Sequence, residues 1–446
     1  RIFQGRFCTL ALSPLFARPF AMDSDGQGDL GLGEDVLNEG SADPECEQYT
    51  RQAIARGSGS DQVDDGPGLE HYTASLLQEY LDAMQRAGKK PNPLVQKSIE
   101  QAGKDGATEF TLDAPGNHKF VFNSRLGDED MSVLAAVFEP PVPYLQHLNL
   151  AYNLIADAGA ATLAENLLTG RAARLESLSL RGNSIGPIGC DAISRALRSC
   201  GALRSLDMAL NPLGRPGGLM VVELLQASPT IVEVYLADTQ MDIDVIVAMA
   251  AVLLTGIPQL QVCDLENPRI LTLQEEHTVH LGRMLRVNVH LREIYIGKHK
   301  MRDEGVRQLV SFLLENKTLR VLDLRCNELG AAGAQHLANL LADDCQIQRL
   351  NLQGNRIGEK DNENGAKAIA QALFKNRMLN HLSLNNNMLC GEALAALAEA
   401  MDQNSTLETV ELFHNNWSQP AAYKFHQIFN DRSRIQPLQA DFMTSE

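Results

Sequence analysis

The fold class predicted by this sequence is an α/β solenoid of strand–turn–helix units, and three observations predict it. The first is Leu319–Leu329, LRVLDLRCNEL, where Leu322 and Leu324 alternate with Val321, Asp323 and Arg325. Such alternation turns one row of side chains inward and one outward along a short strand. Asn327 stands where the chain leaves that strand, and its amide can satisfy backbone groups left bare there. The second observation is recurrence. Equivalent first positions fall at Leu145, Leu175, Leu203, Ile231, Leu260, Leu291, Leu319, Ile347, Leu379 and Leu407. The third is a helical register trailing each strand, as in Gly305–Leu309–Leu313 and Gly333–Leu337–Leu341. A spacing of four and eight marks one face of a helix, and a small residue at its head lets the turn pack closely.

The strand pattern L-x-x-L-x-L-x-x-N-x-L is the leucine-rich repeat signature. Most intervals are 28 or 29 residues and include a full helix, which places the chain in the ribonuclease-inhibitor-like class. Strands packed about 4.8 Å apart on one side and helices about 10 Å wide on the other force the stack to curve. The expectation is a horseshoe with parallel concave strands, convex helices, about ten repeats and an N-terminal cap. Extra residues in the fifth and eighth repeats fall in the strand-to-helix turn. Those of the first and fourth follow the helix.

Among 446 residues the net charge is −17, which argues against nucleic acid as a direct partner. Residues 22–67 carry twelve acidic side chains against two Arg. Eight cysteines without a C-x-x-C pair suggest neither a zinc site nor a disulfide framework, so we expect a reduced, intracellular setting. No apolar run approaches the length of a membrane span, and no membrane partner is expected.

Along the chain, residues 1–21 are Arg-bearing and free of acid. They could be a transit peptide, but with Met22 opening the polar stretch we expect an upstream artefact or fragment end. The segment to residue 68 is polar and acidic and is expected to be disordered. Its formal G-x-G-x-x-G at Gly26–Gly31 lacks the flanking strand and helix of a dinucleotide site. Residues 69–144 predict a cap: a helix bearing Leu76, Leu77, Tyr80, Leu81 and Met84, a second at Leu94–Ala102, a hairpin joining Phe110 and Leu112 to Phe120 and Phe122, and a helix near Asp128–Phe138. The repeats span 145–430, with aromatics such as Trp417 and Phe425 closing the last one, and 431–446 form a polar tail.

One stretch departs from the repeat consensus, Glu266–Leu309. Asn267-Pro268 replaces the usual turn, Gln274-Glu275-Glu276 and His280–Leu285 follow, and Lys298-His299 comes later. In these features the chain resembles the leucine-rich repeat-containing protein 34 family. The resemblance spans roughly residues 105–430 and implies a non-enzymatic intracellular protein of the nucleus and nucleolus in stem and germ cells, with no catalytic residue to carry over.

The outward mid-strand position of successive repeats gives a column expected to be exposed on the concave face: Asn149, Ser179, Asp207, Tyr235, Asp264, Tyr295, Asp323, Asn351, Ser383 and Glu411. At its centre stand Asp207, Tyr235, Asp264, Tyr295 and Asp323, flanked by Arg181, Glu233, Glu266, Glu293, Lys298 and Arg325. Tyrosines between carboxylates form an amphipathic stripe suited to a basic or Arg-rich protein segment. The bland alternative is that Asp and Tyr serve only solubility and strand propensity. His277 and His280 follow Glu275 and Glu276, but E-E-H-T-V-H is not H-E-x-x-H, so no metal and no cofactor is expected. His277 marks an altered turn, and His299, in the Asn column, is expected to cap the strand end in its place. Sequons at Asn316, Asn404 and Asn416 are read as chance.

The functional expectation is therefore a non-enzymatic scaffold of the nucleus, nucleolus and cytoplasm. Two other classes stay open: a Ran-type GTPase-activating protein using Arg181 or Arg325 on a bound GTPase, and an architectural subunit of a ciliary axoneme. Oligomeric state is not legible.

Overall fold

A computed structural model describes residues 69–102, 109–118, 122–138, 144–169, 173–255, 260–271, 275–343 and 345–431. The expectations for residues 1–68 and the tail beyond 431 lie outside them. Among the described residues, eleven strands form one sheet in chain order, every neighbouring pair parallel. The first, β1 (Phe110–Asp113), comes from the cap. The repeats supply β2 (Leu145–Asn149), β3 (Ser177–Ser179), β4 (Ser205–Asp207), β5 (Glu233–Tyr235), β6 (Val262–Asp264), β7 (Glu293–Tyr295), β8 (Val321–Asp323), β9 (Arg349–Asn351), β10 (His381–Ser383) and β11 (Thr409–Glu411). Each repeat strand leads to a helix that packs on its neighbour, from Asp157–Leu163 through Ala331–Ala342 to Gln419–Asp431.

The core lies between these layers. The ten first positions, from Leu145 to Leu407, are all buried, as are Leu322 and Leu324 of the cleanest repeat. Where the chain leaves each strand it turns through the left-handed region, at Tyr152, Gly182, Leu210, Asp238, Asn267, Lys298, Cys326, Gly354, Asn386 and His414. Only two of these are glycine. A side chain there costs energy, which the hydrogen bonds of the next position offset. Asn327 Nδ2 donates to the carbonyls of Leu324 and, one repeat back, Ile296, while its Oδ1 accepts from Met301 N. Asn183, Asn211 and Asn355 repeat the pattern, and His299 makes the expected substitution, Nε2 lying 2.9 Å from Leu265 O. A second ladder runs along the helix ends. Asn316 and Asn404 donate to Leu285 O and Leu373 O and are buried, which explains their N-x-T sequences without a glycan.

Turns into the helices are capped by the preceding repeat. Asp303 Oδ1 accepts from Gly330 N and Gly333 N, at 2.7 and 2.9 Å. A Cβ on Gly333 would lie 2.7 Å from that oxygen, so the small-residue column exists to admit a carboxylate. The eighth repeat carries its extra residues in this turn as a 3-10 segment, Glu359–Asp361.

Two expectations need correcting. In the cap, Phe110–Asp113 does not form one arm of a hairpin among the described residues. It pairs in parallel with β2, and Phe122 opens a short 3-10 helix. Extending the sheet satisfies the edge of β2 that a separate hairpin would have left bare. Second, the outward column is not uniformly exposed. Asp323 is 3%, Tyr295 4% and Asp264 9% exposed. Parallel strands about 4.8 Å apart on the inside of a curve crowd their outward side chains against one another.

Candidate functional site

The strand register sets the column of polar residues side by side. Ser179 lies beside Asp207, Asp207 beside Tyr235, Tyr235 beside Asp264, Asp264 beside Tyr295, and Tyr295 beside Asp323. The five central residues singled out in the sequence therefore form one unbroken row across five strands, and Arg181 and Arg325 join it at its two ends.

At one end, Asp207 Oδ1 accepts from Ala209 N at 3.0 Å and lies 3.7 Å from Arg181 Nη1, and Ser179 Oγ donates to Oδ2. Arg181 also donates through Nε to Tyr152 Oη. At the other end, Asp323 Oδ1 accepts from Arg325 N at 2.9 Å, and Oδ2 faces Arg325 Nε at 3.3 Å and accepts from Asn351 Nδ2. The guanidinium of Arg325 then continues past β7 to Glu266, Nη2 standing 2.9 Å from Oε2, while Lys298 Nζ is 3.2 Å from the other oxygen.

The middle differs. Asp264 Oδ1 accepts from Glu266 N at 3.0 Å, and among the described residues no cation lies within ion-pair distance of the carboxylate, the charge of Arg181 acting on it from farther away. Tyr235 and Tyr295 flank it, their hydroxyls donating to Glu233 (3.4 Å) and Glu293 (2.8 Å). Burial, helped by the charges of Glu266 and Asp207, pushes the Asp264 carboxyl up to about 7. Burial also raises Asp207, against Arg181, and takes Asp323 up to about 6, against Arg325. Tyr235 is held protonated first by burial, then by the carboxylates of Glu233, Asp207, Glu293 and Asp264 around it. Four acids thus converge on one tyrosine.

Gly297 was not visible as a participant. A Cβ there would lie 2.9 Å from Arg325 Cγ and 3.3 Å from Glu266 Cδ, so its bare backbone is the channel through which Arg325 reaches Glu266. Aligning the positions two past the column would have exposed it, since they read Arg181, Ala209, Ala237, Glu266, Gly297, Arg325.

Away from the row, His277 packs on His299 with ring centroids 5.4 Å apart, both buried. Burial lowers them to about 4 and about 3, and both remain neutral at physiological pH. His280 is exposed on the helix surface, and among the described residues no three His, Cys, Asp or Glu side chains gather as metal ligands.

A Leucine Rich repeat family model matches residues 143–164, 174–194 and 315–338. Leucine-rich repeat-containing protein 34 of Mus musculus is 30% identical over 357 residues, which cover 79% of this chain and 84% of that protein. The chain belongs to the leucine-rich repeat-containing protein 34 family. The Homo sapiens member is 38% identical over 184 residues, 40% of this chain and 39% of that protein. The ribonuclease inhibitor of Sus scrofa is 28% identical over 309 residues, 62% of this chain and 59% of that protein. Family membership and fold class agree with the expectations from sequence. The stretch that carries the resemblance, Glu266–Leu309, holds Glu266, Tyr295, Gly297 and the His277–His299 contact, so the irregular repeats border the centre of the polar row.

Proposed function

We propose that this protein is a non-enzymatic interaction scaffold that binds a protein partner through its concave sheet, acting in the nucleus, nucleolus and cytoplasm. The observation that carries the reading is the row Asp207–Tyr235–Asp264–Tyr295–Asp323, which the parallel register makes continuous. Repeat solenoids offer such extended surfaces to partners. Tyr235, the more open of the two tyrosines, supplies rigid contact area, and the carboxylates select a basic partner segment. Buried acids also cost stability, which solubility or strand propensity alone would not favour.

The GTPase-activating alternative gains nothing from the geometry. Arg181 is held by Asp207 and Tyr152, and Arg325 by Asp323 and Glu266, so neither is poised to leave for a nucleotide. The test is affinity purification with the full chain against the Tyr235→Ala/Tyr295→Ala double variant, its folding checked by circular dichroism. Loss of the captured partner is expected. Equal recovery by both chains contradicts the reading.

A further inference from the structure

We infer that Asp264, between Tyr235 and Tyr295, is the seat for one arginine guanidinium of the protein partner. This rests on the reading of the concave sheet as the binding face, and it names the group that face receives.

Three aspartates occupy the row, and the fold treats them differently. Asp207 has Arg181 beside it and Asp323 has Arg325, so at two of the three the chain supplies its own guanidinium. Asp264 is nine-tenths buried and takes one backbone hydrogen bond, on Oδ1. Among the described residues Oδ2 has no donor. The cause lies two positions past the row. Arg181 and Arg325 stand there in their repeats, whereas the repeats around Asp264 offer Ala237, Glu266 and Gly297. Glu266 adds a second negative charge and is itself taken up by Arg325 and Lys298. The charge of Arg181 acts on Asp264 only from beyond ion-pair distance; a buried carboxylate with no cation in contact is unfavourable, and an incoming one relieves it.

The flanking groups select which cation. Tyr235, half-buried on the neighbouring strand, is the ring open to a ligand, and a planar guanidinium stacks on an aromatic face while bonding a carboxylate, which an ammonium does less well. Glu233 and Glu293, on the tyrosine hydroxyls, add negative charge at the rim. The charges acting on Asp264 are Glu266 and Asp207, which raise it, and Arg181, which lowers it; Arg181, Lys298 and Arg325 make their ion pairs with other acids. While the seat is empty its carboxyl stays near half-protonated at neutral pH, so cation entry releases a proton and affinity rises from pH 6 to pH 8.

The probe is a fluorescent peptide of six arginines spaced by glycine, titrated onto the full chain at pH 7.5, with six-lysine and six-citrulline versions alongside. Asp264→Asn should lower arginine-peptide affinity at least tenfold, while Glu399→Gln, removing an exposed acid elsewhere, should change it less than twofold. Circular dichroism verifies that both fold. The lysine peptide should bind more weakly and the citrulline peptide not at all. Ala237→Arg places an internal guanidinium as Arg181 is placed for Asp207, and should also block the peptide. If the wild-type chain does not bind, if the two acid variants behave alike, or if lysine equals arginine, the inference is overturned. Should Tyr235→Ala/Tyr295→Ala lose the peptide while Asp264→Asn keeps it, the binding face stands and the seat alone fails. Retention by both overturns both.

Discussion

Arg325 and Glu266 pair across an intervening strand, Nη2 to Oε2 at 2.9 Å, with Gly297, just past β7, beneath the guanidinium. Together with Asp323 and the more exposed Lys298 the pair forms a small, largely buried network at one end of the polar row. Networks of this kind fix geometry more than they add stability, because desolvation offsets much of the attraction. Here the network keeps Arg325 away from Asp264.

Filling the channel should break it. Gly297→Val puts a branched side chain 2.9 Å from Arg325 Cγ and 3.1 Å from its carbonyl oxygen. Overpacking of this sort costs roughly 1–3 kcal/mol. Urea denaturation should show a lower midpoint at unchanged slope, and an unchanged midpoint would mean that Arg325 has another route.

Removing the cation should cost more. Arg325→Ala leaves Glu266 and Asp323, both largely buried, short of their guanidinium. Breaking a buried pair from one side costs about 3–5 kcal/mol. Asp323 already sits at about 6, so once stranded it takes up a proton as pH falls. The deficit against wild type, read by denaturant unfolding, should therefore be larger at pH 8 than at pH 5. A deficit independent of pH would assign the cost to lost packing instead.

The His277–His299 contact sets an acid limit. Both rings are buried and titrate below their ordinary value of 6.5, at about 4 and about 3. Between 6.5 and 4 the unfolded chain therefore binds protons that the folded chain refuses, and each ring removes up to about 1.4 kcal/mol per pH unit as acidity increases. His299→Asn restores the Asn of neighbouring repeats and can keep the bond to Leu265 O. Its stability relative to wild type should rise on going from pH 7 to pH 4.5. No change in the difference would show that the pair is protonated or hydrated at low pH.

The fold was legible because its signals are local and repeated. Leu322, Leu324 and Asn327 announce strand and turn within a few residues, and ten copies of that pattern leave little freedom in register. The row of Asp and Tyr could be read for the same reason, since one position per repeat maps onto one line of the sheet. What escaped the sequence were relations between repeats. Asp323 draws its arginine, Arg325, from two residues on, but Asp207 draws Arg181 from the preceding repeat, and only the strand register shows that no such arginine comes to ion-pair distance of Asp264. Gly297 acts by having no side chain, which no motif marks. The column expected to be exposed is largely covered for a related reason, as burial there comes from curvature rather than from residue type. Phe110 misled because its pairing partner, Leu145, lies beyond the next helix rather than across the next turn.

The proposed seat requires that Asp264 be held in an unfavourable state for the sake of binding, and unfolding of Asp264→Asn by urea tests this most directly. A carboxyl raised from 3.8 to about 7 in the folded chain gives stability below pH 4 that is lost as pH climbs through 7. Asn removes that penalty, and its side-chain oxygen can still accept from Glu266 N. At pH 8 the variant should be more stable than wild type by roughly 2–4 kcal/mol, since each tenfold change in acidity across that interval is worth about 1.4 kcal/mol. The gain should vanish near pH 4. A variant less stable than wild type at pH 8 would make Asp264 a structural residue and contradict the claim.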